Sequence, residues 1–336
     1  MDNPSFRDFE AQGKEIRNLQ SQIRGGRMVH ALLISGETGT GKRTLAHVIA
    51  AALLCNSKEE QPCGRCNGCT RAFDHMHPDM IIVEKGIPLS NETRKSKTTI
   101  PIDDIREVIR QVSAYPLEGG NRVILIINAE DMTPQAQNCL LKILEEPPDN
   151  TYFILTSAHP EKLLVTIRSR CQFLKMKPWD EKQIIRILLQ EGIEPDKARM
   201  AAASSRGSIG SAEQLSADED YWKTRDAVIT AFFRRTERSG ILSVSSQWKE
   251  NKANAEILFD ILEECISLML QYRIGNAEDD RLNAFSDDWK KFAANADHKR
   301  FTCLLDSVSK ARKQYASNVS IQAIVEQLLL SFMGEI

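Results

Sequence analysis

A glycine-rich loop that directly follows a short apolar run is the feature that most constrains this chain. The apolar run is Ala31–Ser35, and the loop after it has the sequence GETGTGKR. It matches the pattern G-x-x-x-x-G-K, whose backbone N–H groups face a phosphate at the N-terminus of a helix. A strand before the loop and a helix after it distinguish a phosphate-binding loop from a tight turn that holds no ligand. The candidate phosphate-binding residues are Gly36, Gly39, Thr40, Gly41 and Lys42.

The positions that normally hold the catalytic metal are altered. A working loop ends in Ser or Thr, whose hydroxyl ligates Mg²⁺, and this chain has Arg43 there. At the end of the third predicted strand, an Asp metal ligand and a Glu base are expected. Those positions hold Asn128 and Ala129, while the acidic Glu130 and Asp131 come later, on a predicted loop. The pattern predicts that this chain does not hydrolyse nucleotide.

Apolar runs separated by amphipathic segments predict the fold class. Residues 8–24 are predicted to form an amphipathic helix, and strands then alternate with helices as far as about residue 176. Such alternation is typical of a parallel α/β sheet. From residue 181 onward only helical patterns follow, and the last has apolar residues at i, i+3, i+4 and i+7. The four predicted strands cover residues 31–35, 80–83, 123–127 and 153–156.

Four cysteines within fifteen residues form a second candidate site. Their spacing is C-x7-C-x2-C-x2-C, and Gly64 and Gly68 between them permit tight turns. A structural zinc site of four thiolates has Zn–S bonds of about 2.3 Å, and C-x2-C turns bring pairs of thiolates to that distance. The alternative is four free thiols in a surface loop, and the nearby His75 and His77 are predicted to be solvated. The predicted zinc ligands are Cys55, Cys63, Cys66 and Cys69.

Composition argues against several classes of protein. The formal net charge is −2, from 44 basic and 46 acidic residues, which disfavours a strongly basic nucleic-acid binder. The first residues have neither the apolar core nor the cleavage site of a signal peptide. No apolar run approaches the ~20 residues of a membrane helix. We therefore expect a cytoplasmic protein with no membrane partner, whose eight cysteines do not form disulfides.

Several further motifs, taken in order with the loop and the cysteines, resemble the clamp-loader branch of the AAA+ superfamily. They are NCLLKILEEPP over residues 138–148, TSAHP over 156–160 and TIRSRC over 166–171, with NVS over 318–320 before the last predicted helix. The resemblance covers the whole chain, and its motifs are specific through residue 176. Motor subunits of this family, the gamma/tau type, keep the residues that are lost here. The chain is therefore most similar to a subunit without its own ATPase activity.

The resemblance implies three domains. An AAA+ P-loop core with a parallel sheet occupies residues 1–176 and contains the zinc insert at about 55–69. A helical lid follows at 177–213, and an all-α collar domain that mediates oligomerisation at 214–336. In this family the lid carries a second, sensing arginine, and Gly210 occupies that position here.

The resemblance also gives a role to the arginine of the S-R-C motif, which is Arg170. In this family it is an arginine finger that reaches across the subunit interface to the γ-phosphate held by a neighbour. From composition alone, Arg170 is a surface arginine whose salt bridges contribute little.

The function implied by the resemblance is that of a non-hydrolysing subunit of the bacterial DNA polymerase III clamp loader. The implied partners are clamp-loader subunits of the gamma/tau and delta types, the sliding clamp, and primed DNA through the assembly. The implied cofactor is a structural zinc ion, and ATP or ADP could bind without productive Mg²⁺. Two alternatives stay open. One is an active gamma/tau-like motor ATPase in which Glu130 or Asp131 replaces the lost acids, and the other is a zinc-stabilised scaffold with no catalytic role.

Overall fold

The computed structural model describes residues 3–57, 60–87, 89, 98–118, 120–234, 240–246, 248, 255–275 and 285–335. It consists of two compact units, Met1–Gln214 and Leu215–Ile336. The boundary between them lies beside the predicted start of the third domain at residue 214. The predicted division of the first unit at residue 176 stays a prediction.

The first unit is built on a five-stranded parallel sheet in the order β2-β3-β4-β1-β5. β1 and β3 are buried at every position, as strands in the centre of a parallel sheet are. The predicted α/β class and the four predicted strands are confirmed. The strands are β1 (Ala31–Ser35), β2 (Met80–Val83), β3 (Arg122–Ile126), β4 (Thr151–Ser157) and β5 (Gln172–Lys175).

The fifth strand was not predicted from the sequence. β5 lies at the edge of the sheet and pairs only with β1 among the described strands. Three of its four residues are exposed and only Leu174 is buried. A strand of this kind has no apolar run, so the pattern of its side chains does not distinguish it from a loop.

Helices surround the sheet of the first unit. The predicted helix over residues 8–24 is instead two elements, a 3-10 helix at Phe6–Gln12 and the helix α1 (Lys14–Arg24), which meet at Gly13 with a φ of +107°. A φ of this sign strongly favours glycine and ends the first element. The helices are α1 (Lys14–Arg24), α2 (Lys42–Leu53), α3 (Asn67–Phe73), α4 (Ile102–Val112), α5 (Pro134–Glu145), α6 (Val165–Arg168), α7 (Glu181–Gln190), α8 (Pro195–Ser204) and α9 (Ile209–Ala217), which extends past the unit boundary.

Two of these helices, α4 and α5, pack on the sheet and hold the carboxyl ends of its strands in position. Ile105 and Val108 of α4 and Leu140 of α5 are fully buried in one apolar cluster with Ile124 and Leu155 of the sheet. Burying a side chain of this size stabilises the fold by about 1.5–3 kcal/mol. α5 begins as the Thr133-Pro134 pair predicts: the Thr133 side chain accepts a hydrogen bond from Ala136 N at 3.2 Å. This packing fixes the carboxyl ends of the strands, where open α/β sheets place their sites.

All the regular secondary structure among the described residues of the second unit is helical. Phe233, Trp289 and Phe332 form an aromatic cluster with ring centroids 5.1 to 5.8 Å apart. The apolar face predicted for the last helix, Ile321 to Phe332, is buried, and a collar role stays a prediction. Among the described helices of the whole chain, none combines the length and apolarity needed to cross a bilayer. The unit contains α10 (Glu219–Val228), a π-helix (Ile229–Arg234), α11 (Ile241–Ser246), α12 (Ala255–Arg273), α13 (Asp287–Asn295), α14 (His298–Ala316) and α15 (Ile321–Glu335).

Candidate functional site

The phosphate loop connects β1 to α2 in the predicted way. Gly39 and Gly41 have φ angles of +78° and +88°, a region that residues with a Cβ rarely adopt. Lys42 begins α2, and its ammonium group donates hydrogen bonds to the Gly36 and Glu37 carbonyl oxygens at 2.9 and 2.7 Å. Burial lowers the pKa of Lys42, while the nearby negative charges of Glu130 and Glu37 act in the opposite direction. The lysine is thus bound by the carbonyls of its own loop.

The start of α9 lies directly on this loop. Gly210 N donates a hydrogen bond to Gly39 O at 3.1 Å. A Cβ added at Gly39 would lie 1.9 Å from the Ser208 hydroxyl oxygen and 3.5 Å from Ser211 N. Gly210 was predicted to occupy the position of the second sensing arginine, and its backbone contacts the loop instead. The space beside Gly39 is therefore filled by the chain itself.

Two aromatic residues also pack against the loop. The buried Trp179 donates a hydrogen bond from its indole Nε1 to Thr40 O at 3.0 Å. Phe9 lies 6.1 Å from the Trp179 ring, and a Cβ at Gly41 would be 3.2 Å from Phe9 Cε1. Neither ring was predicted to take part, because the contacts join residues far apart in sequence. The loop backbone is therefore contacted by Phe9 and Trp179 as well as by the start of α9.

A cation occupies the position of the lost metal ligand. Arg43 Nη1 donates a hydrogen bond to Glu84 Oε1 at 2.7 Å, so a carboxylate at the end of β2 neutralises it. Asn128 has a left-handed backbone with φ +51°, and its N–H donates to Thr156 Oγ1 at 2.9 Å. Ala129 contributes no ligand. A guanidinium offers no lone pair where a working loop offers a hydroxyl oxygen, so these residues do not fit the usual Mg²⁺ site.

Glu130 lies closer to the loop than the sequence indicated. It is in a short 3-10 helix, Ala129–Asp131, and its Oε1 accepts a hydrogen bond from Ala158 N at 2.8 Å. Its Oε2 is buried without a hydrogen-bond partner. Asp131 instead pairs with Lys85 at 3.0 Å. Of the two acids considered as replacements, Glu130 alone has a charge that affects the pKa of Lys42.

The four predicted zinc ligands lie together. Their sulfur atoms are all within 4.8 Å of one another, with Cys55–Cys66 at 3.9 Å and Cys63–Cys69 at 4.0 Å. A tetrahedron with Zn–S bonds of about 2.3 Å has edges of about 3.8 Å, so the cluster matches the size of a zinc site. Cys66 caps α3, and its sulfur accepts a hydrogen bond from Cys69 N at 3.4 Å. The group could hold zinc. All eight cysteines of the chain are free.

Of the two histidines near this cluster, His77 is buried, which corrects the prediction made for it, whereas His75 is exposed as predicted. His77 is 6% exposed rather than solvated, and its Nδ1 accepts a hydrogen bond from Asp79 N at 3.1 Å. His75 is exposed, and its ring packs edge-on against His47 with centroids 4.4 Å apart. His47 is buried on α2, and neither of its ring nitrogens has a hydrogen-bond partner. Burial, followed by the charges of His75 and Arg43, lowers the pKa of His47 to about 4.

This shift predicts a loss of stability in acid. The pKa of His47 is about 6.5 in the unfolded chain and about 4 in the folded chain. Between these pH values the unfolded chain therefore binds a proton that the folded chain does not. The stabilisation is complete above pH 6.5 and is lost as the pH falls toward 4. The difference corresponds to about 3 kcal/mol. Chemical denaturation across this range should show a shallower pH dependence in His47→Phe. His298→Gln, at an exposed histidine of the second unit, should behave as the wild type, and parallel curves for His47→Phe and the wild type would contradict the prediction.

Arg170 follows α6 at the surface of the first unit. Its side chain is 33% exposed and forms an ion pair with Glu145 at the end of α5. Its Nη1 donates a hydrogen bond to Thr166 O at 2.9 Å. Within the described residues it forms no hydrogen bond or ion pair with the phosphate loop of its own chain. The geometry leaves Arg170 accessible to another molecule, and Glu145 is a contact that the sequence motifs did not indicate.

Comparisons with known proteins give the family. Residues 11–180 match the family model described as DNA polymerase III, delta subunit. A DNA polymerase III subunit delta' from Bacillus subtilis is 29% identical over 96% of this chain and 96% of its own length. The delta' subunit from Yersinia pestis is 31% identical over 70% of this chain and 69% of its own length. The tau subunit from Escherichia coli is 32% identical over 63% of this chain but only 32% of its own length. The chain belongs to the DNA polymerase III delta-subunit family that this model describes.

Proposed function

We propose that this chain is a non-hydrolysing, delta-prime-type subunit of the DNA polymerase III clamp loader. The single observation that carries the non-hydrolysing part is the Arg43–Glu84 ion pair, because it puts a cation where a working site has a Mg²⁺ ligand. The similarity to a delta' subunit along almost the whole of both chains supports the subunit assignment.

The second part of the proposal is that Arg170 acts on a neighbouring subunit. A guanidinium group is planar, stays charged and offers several donors, so it suits the oxygens of a phosphoryl group. In this role Arg170 stabilises the negative charge that develops on the phosphoryl group during hydrolysis at the neighbour's site. Such a finger supplied in trans is typically worth about 10³ to 10⁵ in rate.

The proposed partners are clamp-loader subunits of the gamma/tau and delta types, the sliding clamp, and primed DNA contacted through the assembly. Loading of the clamp onto primed circular DNA tests the proposal. A reconstituted loader that lacks this chain should fail to load the clamp, and its addition should restore loading. Full loading without the chain would overturn the assignment.

The proposal predicts that the isolated chain does not hydrolyse ATP. Wild type and Lys42→Ala should show the same background release of phosphate in the presence of Mg²⁺, because neither holds the metal productively. The measurement is phosphate release by the purified chain, with and without a chelator of Mg²⁺.

One observation favours the motor ATPase as a second candidate. Glu130 lies just beyond the carboxyl end of β3, with one carboxylate oxygen buried and unpartnered, a position from which it could serve as a base. Mg²⁺-dependent turnover that both Lys42→Ala and Glu130→Gln abolish would establish this alternative. Asp131→Asn is the matched control, because Asp131 pairs with Lys85.

We also propose that the four-cysteine cluster holds a structural zinc ion. Four thiolates complete a tetrahedral site and leave no position for water or substrate, which is typical of structural rather than catalytic zinc. Cys69 also places the module against α2, because it is fully buried and its sulfur lies 3.6 Å from Ala51 O. The zinc would therefore fix the insert against the helix that follows the phosphate loop.

A further inference from the structure

The guanidinium group of Arg170 is held on two sides by its own chain. One nitrogen donates to Thr166 O at 2.9 Å, and the other pairs with the Glu145 carboxylate. The Ser169 hydroxyl also donates to Thr166 O, at 3.0 Å, which fixes the turn that carries the arginine. The conformation of Arg170 in this structure is thus set by defined contacts.

The position of Glu145 explains why it binds a cation. It is the last residue of α5, where the helix dipole leaves partial negative charge on the terminal carbonyl groups. A carboxylate there is unfavourable unless a cation is close. Lys142 is the only basic residue in the last turn of α5. Arg170, which lies two residues after the end of α6, supplies a further positive charge.

We propose that Glu145 is a positioning residue that holds the Arg170 finger against its own subunit until the neighbour's nucleotide competes for it. The inference rests on the proposed function of Arg170. A triphosphate carries several negative charges where Glu145 carries a single one, so the phosphates can displace the carboxylate from the guanidinium. The pair is partly exposed, with side chains 33% and 46% accessible, and exposed pairs are easily exchanged. Glu145 therefore opposes engagement of the finger with bound nucleotide without preventing it.

The test uses the complete reconstituted loader with Glu145→Gln in this chain. Loss of the charge should lower the ATP concentration that gives half-maximal hydrolysis by about two- to five-fold, the range expected for an exposed ion pair. The rate at saturating ATP should stay the same, because the finger is then engaged in both loaders. General damage to α5 would also lower the rate at saturating ATP, so a change in the half-saturating ATP concentration alone indicates a specific role of Glu145.

Glu146→Gln is the matched control. Glu146 is the next residue, is exposed and makes no ion pair within the described part of the chain, so its replacement removes the same charge without freeing Arg170. It should leave half-saturation at the wild-type value. In an Arg170→Ala background, Glu145→Gln should have no additional effect, because the two residues act as one unit.

The outcomes separate the two proposals. If Arg170→Ala lowers hydrolysis while Glu145→Gln matches Glu146→Gln or raises the half-saturating concentration, the holding role is overturned and the finger stands. If Arg170→Ala has no effect in an intact loader, the proposed catalytic role fails, and the role of Glu145 fails with it.

Discussion

Replacing Arg170 by Ala should reduce ATP hydrolysis at the adjoining subunit's site by about 10³-fold or more, the typical worth of an arginine finger. The transferred phosphoryl group would lose a cation in the transition state. The loss should appear in the clamp- and DNA-stimulated burst of hydrolysis. The measurement is rapid-quench hydrolysis by the reconstituted loader.

Two variants show whether such a loss is specific to Arg170. Arg168→Ala removes an arginine two residues away on α6 and should leave the burst intact. Arg170→Lys keeps the charge but loses the planar arrangement of donors, so it should recover only part of the rate. Assembly of each loader is checked by size-exclusion chromatography. A full burst from an assembled Arg170→Ala loader would favour the scaffold alternative and make Arg170 an ordinary surface residue.

Local patterns account for most of what the sequence predicted correctly. The spacing of the four cysteines predicts a cluster because C-x2-C turns are short, and the structure brings all four sulfurs within 4.8 Å. β1 and the phosphate loop are adjacent in sequence, so their order predicts their geometry. The buried strands of the sheet were found because they are continuous apolar runs. The exposed edge strand β5 was missed for the opposite reason.

Contacts between distant residues account for what was missed. Trp179 covers the loop through a hydrogen bond to Thr40 O, across 139 positions of sequence. Glu145 pairs with Arg170 only because α5 and α6 pack together. Glu130 seemed too late in the chain to matter, but its 3-10 helix turns the side chain back toward the end of β4. No short motif encodes these placements, since they depend on where the fold carries each element.

Loss of Cys69, one of the four ligands of the proposed zinc site, should have the largest effect on stability. Structural zinc in small modules binds with about 10–16 kcal/mol of apparent free energy near neutral pH, and that energy is available only to the folded state. Cys69 is fully buried and its sulfur also contacts Ala51 on α2. Cys69→Ser should therefore abolish zinc binding and destabilise the first unit by several kcal/mol. Metal analysis and thermal unfolding of the purified chain measure both effects.

A second cysteine of the same chain, Cys303, provides a control for the zinc prediction. Cys303 is exposed on α14 of the second unit, and Cys303→Ser should leave zinc content unchanged and alter stability by less than about 0.5 kcal/mol. A strong chelator should lower the unfolding temperature of wild type toward that of Cys69→Ser, while added chelator should not affect Cys69→Ser itself, because it holds no metal. Wild-type protein purified without chelators that contains no zinc near one equivalent per chain would contradict the site. Equal unfolding temperatures for wild type and Cys69→Ser, with zinc present only in the wild type, would show that the ion binds but does not hold the insert in place.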